Sequence, residues 1–140
     1  ELGDIAAGSL AFALDPNRIY LNLVDRFPKG AVAFSDRPAL KGKIARELEG
    51  LSYAGRPVIR RVFDAEEIYS GPLVPLGPDL IVLAEPGFDL KGSVKKEDVF
   101  GRTNLEGMHT WDNAFFWADR TVGDDLRISQ LSALILNHFS

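Results

Sequence analysis

The sequence predicts an α/β fold, a mixed sheet of about five strands with packed helices, because apolar runs of strand length alternate with segments of helical period. Two observations carry this. Leu40, Ile44, Leu48 and Leu51 recur at the spacing of one helix face, whereas Ile19, Leu21 and Leu23 alternate with Tyr20, Asn22 and Val24. A third is the unbroken run Leu80 to Ala84, the pattern of a central strand covered on both faces.

Taken in order, Ser9 to Leu14 and Arg18 to Val24 are apolar runs separated by Asp15-Pro16-Asn17, which is turn chemistry and predicts a hairpin. Arg26-Phe27-Pro28-Lys29-Gly30 then reads as a loop. The helix that follows has Ser35 or Asp36 as its cap, Pro38 near its first turn and Gly50 near its stop. Pro57 to Phe63 is β-branched and strand-like. Asp64 stands three residues before Glu67 in the manner of a capping box, so a short helix through Tyr69 is expected, ended by Gly71 and Pro72. After the Leu80 strand, Phe88 to Asn113 lacks strong periodicity, and a loop of that length is usually functional or mobile. Ala114 to Ala118 reads as a fifth strand, and Leu126, Ile128, Leu131, Leu134, Ile135 and Phe139 follow a closing helix. Five strands leave at least one open edge, through which the chain is expected to dimerise or swap.

Composition narrows the function classes. Hydrophobic residues at 46% and charged residues at 26% suit a globular chain, and 140 residues suit a single α/β unit spanning residues 1–140. Twenty acidic residues against 16 basic ones give −4, with no basic concentration able to neutralise a row of phosphates, so a nucleic-acid scaffold role is disfavoured. No apolar run approaches the roughly 20 residues that span a bilayer. There is no cysteine, hence no disulfide framework and no thiolate metal site. The chain opens at Glu1 and stops at Ser140 within an amphipathic run, which reads as a domain trimmed at both ends. The compartment stays open.

Candidate chemistry is sparse. Of two histidines, His138 sits among apolar neighbours on the closing helix and reads as a helix-end residue. His109 is different: Thr110, Asp112 and Asn113 crowd the same segment, at the mouth of an expected strand where α/β enzymes assemble their sites. Neutral imidazole is the commonest protein metal ligand, and Asp112 or Thr110 could support it from the outer shell. One histidine cannot make a three- or four-ligand site unaided, and spacing alone favours a structural role for it. The pair Glu66-Glu67 fits a helix first turn, Asp124-Asp125 a solvated cap, and Lys95-Lys96-Glu97-Asp98 a solvated loop. Trp111, Phe115, Phe116 and Trp117 read as core. No phosphate-binding glycine loop or nucleophile elbow is present, so no catalytic residue is assigned.

Gly107-Met108-His109-Thr110-Trp111-Asp112-Asn113-Ala114-Phe115-Phe116 resembles the Gly-x-His-x-x-Asp motif of type I phosphodiesterase/nucleotide pyrophosphatases, members of the alkaline phosphatase superfamily. Three further stretches are similar to that family in the same order: Ile19 to Leu23 with Arg26 to Gly30, Val62 to Gly71, and Pro78 to Val82. The closing helix also has a family counterpart. Together these imply a C-terminal piece of an alkaline-phosphatase-like fold, part of a larger catalytic domain. The resemblance implies that His109 completes one half of a two-metal site, usually zinc, in an enzyme hydrolysing phosphodiester or nucleotide pyrophosphate bonds. No residue here corresponds to the nucleophilic Thr or Ser or to the other ligands. The isolated chain is therefore expected to be inactive and to need the N-terminal remainder of the same protein as its partner. Asp4 to Ser9 departs from the Trp-containing segment of relatives, which leaves substrate contacts open. The alternatives are a non-catalytic accessory or interaction domain with the same fold, and a related phosphomutase or sulfatase-like activity.

Overall fold

The computed structural model describes residues 5–92, 98–102, 104, 107, 109–112, 114–123 and 125–139. Asp4, Lys95 to Glu97, Met108, Asn113 and Asp124, on which several of the readings above fall, lie outside the described residues. The chain divides into two compact units, Glu1–Met108 and His109–Ser140.

The first unit is built on a four-stranded sheet. Strands β1 (Ala11–Phe12), β2 (Arg18–Leu21), β5 (Ile59–Asp64) and β6 (Leu80–Ala84) lie in the order β1-β2-β6-β5. Every pairing is antiparallel, with Ala11 opposite Leu21, Ile19 opposite Leu80 and Val62 opposite Val82. The sheet is thus antiparallel rather than mixed, apart from an isolated parallel bridge between Leu23 and Val32. The predicted β1–β2 hairpin forms around Asn17, whose φ of 70° is the left-handed conformation that Asn tolerates. β6 is central, as its unbroken apolar run requires, with Leu80 and Val82 buried.

Helix α1 (Arg37–Glu49) starts with Pro38 in its first turn and ends at Gly50, whose N–H reaches the Arg46 carbonyl. Asp36 is its N-cap residue, but its side chain makes no capping bond. The helix's apolar stripe covers two clusters at once. Leu40 and Ile44 pack on Leu21, Leu23 and Val32, while Leu48 and Leu51 join Val58, Ile59 and Val82. α1 also reaches the outer edge of the sheet, where the Glu49 carboxylate accepts the Val62 N–H at 2.9 Å. That bond occupies an edge donor that another strand would need.

Between α1 and β5 lies a small hairpin, β3 (Ser52–Tyr53) and β4 (Arg56–Pro57), that the apolar pattern did not signal. Its two turn residues, Ala54 at φ 49° and Gly55 at φ 75°, are both left-handed, the backbone of a tight two-residue turn. The short helix α2 (Ala65–Ile68) ends one residue before the expected Tyr69, and Asp64 caps it through its side chain alone, which accepts the Glu66 N–H at 3.1 Å.

The second unit carries helix α3 (Ile128–His138), where the Gln130 side chain accepts the Arg127 N–H at 2.7 Å. The strand expected over Ala114 to Ala118 is absent: these residues are irregular, and Phe115 and Trp117 are largely exposed. Strand-like composition does not make a strand without a partner edge, and among the described residues the segment has none. The count is accordingly four strands in the main sheet, not five.

Candidate functional site

A cluster of charged side chains in the first unit surrounds Asp79, which is fully buried where the chain enters β6. Pro78 precedes it and the apolar run Leu80 to Ala84 follows, so its backbone is fixed by the sheet: its N–H donates to the Ile19 carbonyl and its carbonyl accepts the Ala65 N–H. Its carboxylate accepts the Leu21 N–H at 2.8 Å, Arg26 Nη1 at 3.0 Å and Arg37 Nε at 2.7 Å. Arg26 also donates to the Gly77 carbonyl. From α1, Arg37 Nη1 reaches Glu66 at 2.6 Å, and Lys41, one turn later, pairs with Asp64. The cluster ties β2, α1, α2 and β6 together.

Its electrostatics are closed. Burial alone would lower the Arg37 guanidinium, but hydrogen bonds and charge from Glu66 and Asp79 outweigh that and raise it, so it stays protonated. Burial likewise pushes the Asp64 carboxyl up, while the Lys41 hydrogen bond, the Glu66 N–H and the charges of Lys41 and Arg37 hold it below its ordinary value. Arg26, Arg37 and Lys41 face Asp64, Glu66 and Asp79. Within this cluster three cations face three anions. The arrangement holds the fold.

A neighbouring clamp fixes the loop after β2. Asn22 is buried, and its Nδ2 donates to the Ser9 and Lys29 carbonyls at 2.8 Å each. Its own carbonyl accepts the Ala31 and Val32 N–H groups. The return of the loop passes so near β2 that a Cβ on Gly30 would lie 2.3 Å from the Leu23 carbonyl oxygen. Only glycine fits there.

An open groove of about 370 Å³ lies on the same unit, lined by Arg18, Tyr20, Tyr69, Ser70, Leu73 and Pro78. Its one cation, Arg18, is paired with Asp15 at 3.2 Å. The Asp15 hydrogen bond raises the Arg18 guanidinium further.

His109, Thr110 and Asp112 all belong to the second unit. His109 and Asp112 are exposed; Thr110 is half-buried, and its hydroxyl is buried without a hydrogen-bond partner among the described residues. His138, at the end of α3, sets its ring edge-on to Phe139. A zinc site needs three or four donors. Among the described residues no group of three His, Cys, Asp or Glu side chains could hold a metal ion. No chemical step is therefore assigned to a metal among the described residues.

Sequence reasoning treated Asp64 as a helix cap, Glu66 as part of a helix first turn and Asp79 as a strand flank, and gave none of Asp79, Arg37 and Lys41 a charge-pairing role. Their charged partners lie 23 to 53 residues away in the chain, beyond any local pattern. The one hint was Asp79 itself, a carboxylate abutting a fully apolar strand. No protein-family model, no curated protein and no solved structure matches this chain.

Proposed function

We propose that this chain supplies a C-terminal portion of a metal-dependent phosphodiesterase or nucleotide pyrophosphatase. In that role His109 gives one imidazole to a divalent ion, zinc by preference, and the remaining ligands and the nucleophile come from other parts of a longer protein. The substrate class is a phosphodiester or a nucleotide pyrophosphate. Thr110 and Asp112 act on the His109 ring as supporting neighbours.

One observation carries the reading. The separate stretches that resemble the family, Ile19 to Leu23 with Arg26 to Gly30, Val62 to Gly71 and Pro78 to Val82, meet at Asp79 through its side chain and its backbone. Asp79 of the third binds the Leu21 N–H and Arg26 of the first, and its carbonyl accepts the Ala65 N–H of the second. Residues spread over some 60 positions thus serve one interlocked scaffold, which supports reading these stretches as parts of one frame. The Gly107-x-His109 motif belongs to the same ordered series.

The test is His109→Ala in the longest natural gene product, read by metal content and by turnover of bis(p-nitrophenyl) phosphate. The expected result is one metal equivalent fewer per chain and a rate loss beyond the ~10–100-fold that disturbing an outer-shell partner costs. Unchanged metal content and turnover would overturn the assignment. A full-length protein that neither binds metal nor turns over the diester would instead favour the accessory-domain alternative.

A further inference from the structure

We draw no further inference here: the strongest candidate, the exposed apolar surface that Trp111, Phe115, Trp117 and the outer residues Ile128, Leu136 and Phe139 present on the second unit, carries nothing because nothing in the structure shows what covers it.

Discussion

Replacing Asp79 by Asn keeps the side chain's size but removes the charge that Arg26 and Arg37 share, and it sets an amide NH2 against donors. Breaking a buried pair from one side costs about 3–5 kcal/mol, because the remaining charge stays desolvated. Asp79→Asn should lower the denaturant-unfolding free energy by that amount, and a loss below ~1 kcal/mol would show that the arginines find other partners. Asp64 gives a pH signature. Its folded-state carboxyl titrates below the ordinary 3.8, so its contribution is fully present above that value and is lost as pH falls through the lower folded one. Asp64→Asn can still cap α2 through its side-chain oxygen, yet it should flatten the fall in unfolding free energy below pH 3.8. Parallel acid limbs for the two proteins would contradict this. None of these ion pairs was readable from spacing, since each depends on partners brought together only by the folded sheet.

At the scale of elements, the sequence was readable wherever the signal is local. The α1 stripe Leu40, Ile44, Leu48 and Leu51 was legible because helical period is a property of the segment itself, and the structure buries it against both clusters. Asp64 as a cap was legible for the same reason. Ala114 to Ala118 misled, because aromatic content reports burial or pairing without supplying a partner. The β3–β4 hairpin was missed because its turn is Ala54-Gly55, where Asn-Gly is the usual signal. That mismatch yields a prediction. Ala54 is held at φ 49°, a conformation costing an ordinary L-residue roughly 1–2 kcal/mol that Asn tolerates better. Ala54→Asn should raise stability by about 0.5–1 kcal/mol, seen as a higher Tm; a fall would mean the left-handed turn is not retained in solution.

At the scale of the whole molecule, the two units differ in what holds each of them. The first has two apolar clusters, the Asp79 network and the Asn22 clamp. In the second, no described residue is buried, and α3 is only 11 residues long. Isolated helices shorter than ~12–15 residues are marginal in water, and helical stability in proteins comes chiefly from packing an apolar face. A chain ending at Met108 should therefore keep its sheet and unfold in one cooperative transition, with the Asp79→Asn penalty undiminished. A peptide of residues 109–140 should show little helix by circular dichroism in water. The two measurements separate the outcomes. A stably helical peptide would mean that α3 holds itself without a core, whereas a shortened chain that fails to fold would mean that the first unit draws stability from residues beyond Met108. In the second case the penalty at Asp79 could no longer be read as belonging to the first unit alone.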